Sequence, residues 1–273
     1  MNIFSYGKVY SKLSINQLNN LKLSAKINSG FSYFAKIYFS LFGYPDIASQ
    51  RRYLIVEKLL KLKNGDRVLD AGCGNGIYLQ EFGVKFNTQG VGIDARRNRV
   101  NSAEKINKYL GRDDVFITST LEKVNLGKRK FNKAICLEVL EHIYDDAGVI
   151  KRLSKNLIKG GIFVISVPMK GTALTKEQEN DPNFKPVKYE HVRSGYEVSD
   201  LKKLARNAGL RVVSIKKYFF FVSRYMVKTQ QFLYKNKFTI LNLILSPILL
   251  VVSELDNIFT FYPRGYILVL KKK

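Results

Sequence analysis

The chain has 273 residues, 46% of them hydrophobic, which is enough for one substantial core. Its two cysteines, Cys73 and Cys136, are too few for a disulfide framework or a zinc cluster, so we expect reduced thiols, a cytoplasmic location and no bound metal. The N-terminal stretch MNIFSYGKVYSKLSINQ has no apolar core of the kind that signal peptides carry, and we expect no signal peptide.

The net charge is +24, from 46 Lys and Arg against 22 Asp and Glu. The excess lies near the two ends of the chain. Residues 1–45 carry five lysines and no acid, and residues 202–273 carry fourteen Lys and Arg with only two acids. This distribution predicts an anionic partner, which is a nucleic acid, a membrane surface or a phosphorylated substrate. A cationic surface without a special partner is the open alternative.

From about residue 50 onward, strand-like and helix-like patterns alternate. Strands are expected at residues 67–72, 89–94, 115–119, 131–137 and 161–168. Helix-like segments lie between them; in DAGVIKRLSKNLI, for example, Val149, Ile150 and Leu153 recur at helical spacing. Short apolar strands that alternate with helices predict a parallel sheet covered by helices on both faces.

The alternation stops after Pro168. Residues 169–196 are polar and contain two prolines, and a long segment of this kind inside a compact domain predicts a functional lid. A helix, VSDLKKLARNAG, and two strands, LRVVSIKKYFFF and RGYILVLKKK, complete the domain.

An insertion of about residues 219–263 separates these last two strands. It contains the uncharged run 238–253, which includes Pro247 and is shorter than the stretch of about 20 apolar residues that spans a membrane. The run predicts either a kinked core helix or an element that lies in a membrane interface. Residues 1–49 are predicted to form a basic, aromatic helical segment that precedes the domain of residues 50–273.

The stretch VLDAGCGNG, residues 68–76, predicts a buried strand that runs into a glycine-rich turn. Gly72 and Gly74 match the first two glycines of a dinucleotide fingerprint, but isoleucine stands at the third position, and no Lys-Ser or Lys-Thr of a P-loop follows. Asp70 beside the loop suits a cationic or hydroxyl-bearing ligand better than a pyrophosphate. Asp94, 20 residues after Gly74, ends the next strand, where an acid accepts hydrogen bonds from both ribose hydroxyls. The pattern predicts a positively charged nucleoside without pyrophosphate, such as S-adenosylmethionine (SAM).

Four motifs in order, VLDAGCGNG, GIDA, LEVLEHI and KGGIFVISVP, resemble those of class I SAM-dependent methyltransferases, most of all the broad type 11 group of small-molecule and lipid enzymes. The resemblance covers about residues 50–215 and the last strand. It implies an α/β, Rossmann-like sheet of seven strands, mostly parallel with an antiparallel last strand. Helices cover both faces, and we expect an N-terminal helical segment and a helical insertion before the last strand in addition.

The resemblance also implies which residues contact the cofactor. The glycine loop lines the methionine part of SAM, Asp94 holds the ribose, Leu121 lies by the adenine, and the turn after Leu137 closes over the amino group. Thr120 departs from the family pattern, in which an acid is common. The full predicted cofactor set is Asp70, Gly72, Cys73, Gly74, Asp94, Ala95, Thr120, Leu121 and Leu137.

The acceptor is not given by these motifs. The turn after the fourth strand has no Asn/Asp-Pro-Pro-aromatic sequence, and neither cysteine lies in a lid, which argues against methylation of a base amino group or of cytosine carbon. The two histidines, His142 and His191, are candidate general bases. Tyr189, Arg193 and Tyr196 suit a polar or anionic acceptor, with a solvated loop as the alternative interpretation.

The sequence therefore predicts in-line methyl transfer from SAM to a hydrophobic or anionic small molecule, a lipid or a lipid-linked glycan. The apolar and basic ends of the chain predict a peripheral location on an anionic membrane, at its inner face. Two alternatives stay open: an RNA methyltransferase, although nucleic acid is the less favoured partner, and a SAM-binding scaffold without catalysis.

Overall fold

The computed structural model describes residue 4 and residues 6–21, 29–173 and 190–273, so Tyr189 and most of the predicted lid lie outside the described residues. Within these ranges the chain forms one seven-stranded sheet, and the predicted α/β fold is confirmed. The strands are β1 (Arg67–Ala71), β2 (Gln89–Asp94), β3 (Val115–Thr118), β4 (Phe131–Leu137), β5 (Leu157–Pro168), β6 (Leu210–Tyr218) and β7 (Gly265–Lys272).

The order of the strands in the sheet is β3-β2-β1-β4-β5-β7-β6. Strands β1 to β5 pair in parallel, and β7 runs antiparallel to both of its neighbours, as predicted for the last strand. The direction of strand succession reverses between β1 and β4. Their carboxyl ends therefore flank the crevice in which open α/β sheets bind ligands.

Helices cover both faces of the sheet. They are α1 (Ile15–Asn20), α2 (Ser29–Phe42), α3 (Ile47–Leu60), α4 (Ile77–Phe86), α5 (Arg97–Tyr109), α6 (Asp146–Lys155), α7 (Val198–Asn207), α8 (Phe221–Lys235) and α9 (Thr239–Ser253). Alternate side chains of β1 enter two different apolar clusters: Leu69 and Ala71 belong to one, and Val68 belongs to the other. Because both faces of this strand are buried, its sequence is a continuous apolar run up to the site.

The N-terminal segment packs against α4 and α5, next to the glycine loop. Val9 and Phe39 form an apolar cluster with Ile77 of α4 and Ile106 of α5. The backbone N–H of Val9 also donates to Glu81 Oε1 at 2.8 Å. Helix α3 continues without a break through residues 49 and 50, where the sequence predicted the start of the main domain.

The insertion between β6 and β7 folds into the helix pair α8 and α9, and buried hydrogen bonds attach it to the body. Gln230 Nε2 donates to Pro45 O at 3.0 Å and to Ser246 Oγ at 2.9 Å, while Gln230 Oε1 accepts from Ile47 N at 3.1 Å. Asp256 accepts from two backbone N–H groups at the start of α8, at 3.0 and 3.1 Å. These contacts draw the polar side of α9 toward the body.

Candidate functional site

The glycine loop leaves β1 in a conformation that only glycine adopts easily. The N–H groups of Gly72 and Cys73 both donate to Ile93 O, at 2.7 and 2.9 Å. Gly72 has a φ of 91°, and a Cβ placed on it would lie 2.3 Å from Val139 Cγ2. The backbone therefore forms the wall of the crevice without intervening side chains, which allows a ligand to approach it closely.

Asp94 organises this loop from the end of β2. Its Oδ2 accepts from Gly74 N at 3.0 Å, and its Oδ1 accepts from Arg96 N at 2.8 Å. A carboxylate has about four lone-pair sites, so each oxygen keeps capacity for one further donor. Asp94 can accept two ribose hydroxyls while it holds the loop in place.

Asp70 is the buried carboxyl of the site. It is 3% exposed, and its Oδ2 has no hydrogen-bond partner among the described residues. Burial, with a further contribution from the charge of Asp94, raises the pKa of Asp70 to about 8. A buried carboxyl group without a hydrogen-bond partner fits a cationic ligand, because a nearby positive charge stabilises the carboxylate form that burial disfavours. The two carboxyl groups at the loop, Asp70 for the positive charge and Asp94 for the ribose hydroxyls, therefore fit SAM.

A cavity of about 310 Å³ opens beside the loop; we call it the loop cavity. Predicted residues in its lining are Asp70, Gly72, Cys73, Gly74 and Leu137. The other predicted cofactor residues, Asp94, Ala95, Thr120 and Leu121, lie outside this lining, although Asp94 is hydrogen-bonded to Gly74, which is part of it. Ser119 N donates to Asp94 O at 3.1 Å, which joins the segment before Thr120 to the end of β2.

Several lining residues of the loop cavity were missed by sequence reasoning. Tyr6, Tyr10, Tyr44 and Ser49 come from the N-terminal segment and α3, together with Arg52. The sequence predicts membrane docking for the aromatic segment 31–45, which contains Tyr44, and it assigns no role to Tyr6 or Tyr10. The structure shows that at least three of these tyrosines cover the loop.

A second cavity of about 340 Å³ adjoins the first; we call it the basic cavity. Arg52 lines both cavities. The charged and titratable groups of the basic cavity are Arg52, Glu138, Glu141, His191, Arg224, Lys228 and Arg264. Four cationic side chains against two carboxyls give the cavity an excess of positive charge, which favours an anionic group.

Glu138 stands between β4 and the basic cavity in a constrained position. Its φ is 55°, which is rare for a residue other than glycine. Its Oε1 accepts from Tyr218 OH at 2.6 Å and from Ser166 Oγ at 2.9 Å, and its Oε2 lies 3.8 Å from Arg52 Nη2. The surroundings hold this strained turn, and strain of this kind is concentrated at functional sites.

The two histidines predicted as candidate bases lie together. Their ring centroids are 4.6 Å apart, and His191 Nδ1 donates to Ala173 O at 2.6 Å. Burial lowers the pKa of His142. Burial and then the charge of Glu138 raise the pKa of Glu141, to about 8. His191 and Glu141 line the basic cavity, so sequence reasoning placed one histidine at the cavity and missed the glutamate beside it.

Arg193 and Tyr196, predicted to bind the acceptor, have internal partners. Arg193 Nη1 donates to Asp146 Oδ2 at 2.5 Å, and its Nη2 donates to the backbone oxygens of Ile143 and Tyr144. Tyr196 OH donates to the same Asp146 oxygen at 2.7 Å, and the tyrosine is buried. Both residues attach the segment after the lid to α6, and neither lines the basic cavity.

Both cysteines are free and buried. Burial raises the pKa of both thiols, Cys73 and Cys136, above the ordinary value. A thiol that resists ionisation is a poor nucleophile. Cys73 packs in the apolar cluster of α3 and α4, and Cys136 packs in the cluster of β4 and α6.

A family profile described as a methyltransferase domain matches residues 47–215. A tRNA U34 carboxymethyltransferase from Nautilia profundicola is 27% identical over 154 residues, which are 56% of this chain and 49% of the relative. A ubiquinone biosynthesis O-methyltransferase from Bradyrhizobium sp. is 28% identical over 120 residues, which are 44% of this chain and 46% of the relative. The chain thus spans about half the length of the curated relatives it matches.

Among solved structures, phosphoethanolamine N-methyltransferase 2 from Haemonchus contortus, in complex with SAM, has a TM-score of 0.59. The match covers 95% of this chain and 60% of that chain at 16% sequence identity. At this identity the likeness concerns the fold.

Proposed function

Because the chain belongs to the methyltransferase domain family, as its motifs predicted, we propose that it transfers the methyl group of SAM to an anionic acceptor with a hydrophobic part, at a membrane surface. One observation carries the proposal: the loop cavity and the basic cavity share Arg52. A cofactor site and an anion-binding site that adjoin each other are what a two-substrate transfer requires.

In methyl transfer from SAM, the main task of the protein is to hold the acceptor and the cofactor in the right positions. SAM supplies an activated methyl group; a lone pair of the acceptor bonds to the methyl carbon while the electron pair of the broken S–C bond passes to sulfur. Asp94 and the glycine loop hold the nucleoside, and Asp70 compensates its positive charge. Holding both reactants in line contributes most of the rate, because effective molarities reach about 10⁵ M or more.

The basic cavity supports an acceptor with a phosphate or carboxylate group. Arg224 and Lys228 project from α8, so the insertion supplies two of the four cations. Arg264 follows the insertion directly, just before β7, and its Nη2 also donates to Thr172 O. Arginine pairs with planar or phosphate oxygens through two donors at once. The same insertion carries exposed apolar side chains, which supports an acceptor that combines an anionic headgroup with a hydrophobic part.

The burial pattern of helix α9 is the opposite of that of a core helix. Its buried positions are polar except for one leucine: Asn242, Ser246, Leu250 and Ser253. Apart from Thr239 at its start, its exposed positions are apolar: Ile240, Leu241, Ile244, Ile248 and Val251. A helix that exposes its apolar face to water loses the burial that would stabilise it, which indicates a further apolar environment. This arrangement supports the membrane-interface interpretation over the core interpretation.

The apolar surface continues beyond α9; we call the whole the apolar face. Helix α2 adjoins it, since Tyr38 and Phe42 share a small cavity with Ser246 and Pro247. Further exposed apolar residues are Tyr33, Phe34, Ile37, Leu41, Phe232, Phe238, Leu255, Ile258, Phe259, Phe261 and Tyr262. Exposed Lys235 ends α8, and exposed Lys237 lies in the turn before α9; near an anionic surface each contributes about 1 kcal/mol of attraction.

The segment Thr239–Asn257 is also long and apolar enough to cross a membrane, with a mean hydropathy of 1.7, and 28% of it is buried. We favour an interfacial position, because the polar side of α9 is hydrogen-bonded to α8 through Gln230 and Ser246. A spanning helix would have to break these buried contacts or carry them into hydrocarbon.

Incubation of the protein and labelled SAM with total lipid, soluble-metabolite and RNA extracts tests the function. We expect label in an anionic lipid fraction. Arg264→Gln and Arg224→Gln should each raise the KM for that acceptor about tenfold or more, since a lost charge-assisted contact costs about 1.5–3 kcal/mol. Label confined to RNA would favour the RNA alternative, and SAM binding without any labelled product would favour the scaffold alternative.

Sedimentation with vesicles tests the membrane surface. We expect the protein to bind vesicles rich in anionic lipid at low salt, and to bind neutral vesicles weakly. Ile244→Glu with Ile248→Glu should reduce binding by tenfold or more, because each apolar side chain contributes about 1.5–3 kcal/mol on burial. Ile158→Glu, at another exposed apolar position, is the matched control and should bind normally. Equal binding by both variants, or no binding by the wild type, contradicts the proposal.

A further inference from the structure

Three side chains with metal-binding atoms converge beside the basic cavity. One ligand atom each from Glu141, His142 and His191 lies within 4.8 Å of the other two. Glu141 and His191 also line the basic cavity. Among the residues that the structure describes, no other set of three His, Cys, Asp or Glu side chains shows this convergence.

Two of these side chains carry buried atoms that lack a partner. Glu141 Oε2 and His142 Nδ1 are inaccessible to water and have no hydrogen bond among the described residues. Glu141 is 1% exposed. A buried polar atom without a partner costs about 1–3 kcal/mol, and more when it is charged, so native structures rarely carry one without a reason. His142 Nε2 lies 4.0 Å from Glu141 Oε1, and a cation bound between the two side chains would give the buried carboxylate a counter-charge.

His191 is already oriented as a metal ligand. Val192 N donates to Glu141 O at 2.8 Å, which fixes the loop of His191 against the turn of Glu141 and His142. His191 Nδ1 pairs with Ala173 O, and a carbonyl oxygen only accepts, so Nδ1 carries the hydrogen and Nε2 keeps its lone pair. Metal-binding histidines typically donate their second ring nitrogen to such a group.

We propose that Glu141, His142 and His191 bind one divalent transition-metal ion of the zinc type. Two imidazoles and one carboxylate suit Zn²⁺ and its neighbours better than Mg²⁺ or Ca²⁺. Bonds of about 2.1 Å place ligand atoms roughly 3.0–3.5 Å apart, so the three side chains close on the ion by about 1 Å. The sequence predicted no metal because it contains only two cysteines. These three ligands come from two segments that only the fold brings together, so their sequence positions do not mark a site.

The role of the ion rests on the proposed function. Three protein ligands leave coordination positions for an oxygen of the acceptor in the basic cavity. A coordinated hydroxyl releases its proton to solvent more readily, and the resulting oxygen lone pair bonds to the methyl carbon as the S–C electron pair passes to sulfur. The ion would thus take over the task that the histidines were predicted to perform as bases.

Metal binding is tested on the full chain without SAM or acceptor, so that failure of the proposed function does not affect the result. The protein is freed of metal with a chelator and titrated calorimetrically with ZnCl₂, and Co²⁺ is added separately to read the coordination from its visible absorption. We expect one Zn²⁺ per chain. Glu141→Gln and His191→Ala should each lower the affinity for Zn²⁺ by about 100-fold or more, since even residues that only hydrogen-bond to a metal ligand contribute about 10–100-fold to metal affinity.

Glu138→Gln is the matched control. This carboxylate lies three residues before Glu141, but its Oε1 already accepts from Tyr218 and Ser166. It should change Zn²⁺ affinity far less than Glu141→Gln. Retained SAM binding by every variant shows that each has folded. If the wild type binds neither Zn²⁺ nor Co²⁺ saturably, or if Glu141→Gln and His191→Ala bind as the wild type does, the site is overturned.

Discussion

Replacing Asp94 by alanine is expected to weaken SAM binding by about 100-fold or more. A hydrogen bond to a charged acceptor contributes about 1.5–3 kcal/mol, and the two ribose hydroxyls make two such bonds. Every 1.4 kcal/mol is a factor of about ten in affinity. The loss also reaches the loop itself, because Asp94 accepts from the N–H groups of Gly74 and Arg96. Calorimetric titration with SAM measures the effect.

Two further variants separate these contributions. Asp94→Asn keeps one acceptor oxygen and the size of the side chain, so it should lose less affinity than alanine does. Glu104→Ala removes an exposed acid from α5 and controls for the change in net charge. If Asp94→Ala binds SAM as tightly as Glu104→Ala does, the assignment of Asp94 to the ribose is wrong.

The glycine loop could be predicted because its requirements are local. A buried strand, glycines in a left-handed turn and an acid at each of two strand ends are readable within 27 residues, from Val68 to Asp94. The cover formed by Tyr6 and Tyr10 could not be predicted, because it depends on how the N-terminal segment packs on α4. The residue types were visible, but their position above the loop was not.

The predicted acceptor residues Arg193 and Tyr196 show what residue type alone leaves undetermined. The guanidinium of Arg193 is suited to an anion, but in the folded chain it is paired with the carboxylate of Asp146, 47 residues earlier in the sequence. Arg224, within the insertion, and Arg264, directly after it, line the basic cavity, and no motif in the sequence marked either residue. For α9 the composition predicted an apolar helix. Which face is buried depends on Gln230, a contact that exists only in the folded chain.

Binding of SAM is expected to release a proton from Asp70. In the free protein the pKa of Asp70 is about 8, raised by burial and then by the charge of Asp94, so at about pH 7 roughly nine in ten molecules carry the proton. The positive charge of SAM beside the unpartnered Oδ2 favours the carboxylate and lowers this pKa. Between about pH 6 and 7.5 the affinity should therefore rise with pH, by up to tenfold per unit.

Asp70→Asn should abolish this proton release and flatten the pH dependence of SAM affinity. Titrations in two buffers of different ionisation enthalpy count the protons. Glu81→Gln is the matched control, since burial also raises the pKa of Glu81, to about 7, but its Oε1 is bonded to the Val9 N–H outside the loop. A wild type that releases no proton, or a Glu81→Gln variant that removes the release, would contradict the role of Asp70.

The same residue sets a trend in stability. The folded-state pKa of Asp70 lies above its ordinary value of 3.8, so the folded state binds more protons than the unfolded state between about pH 4 and 8. The stability that Asp70 contributes is complete below this range and is lost as the pH rises through it. In the absence of SAM, the Tm of the wild type should fall from pH 6 to 8 more than that of Asp70→Asn. At about pH 7.5 without SAM, the wild type should have a lower Tm than Asp70→Asn. With SAM it should have the higher Tm, because only the wild type gains the ion pair on binding.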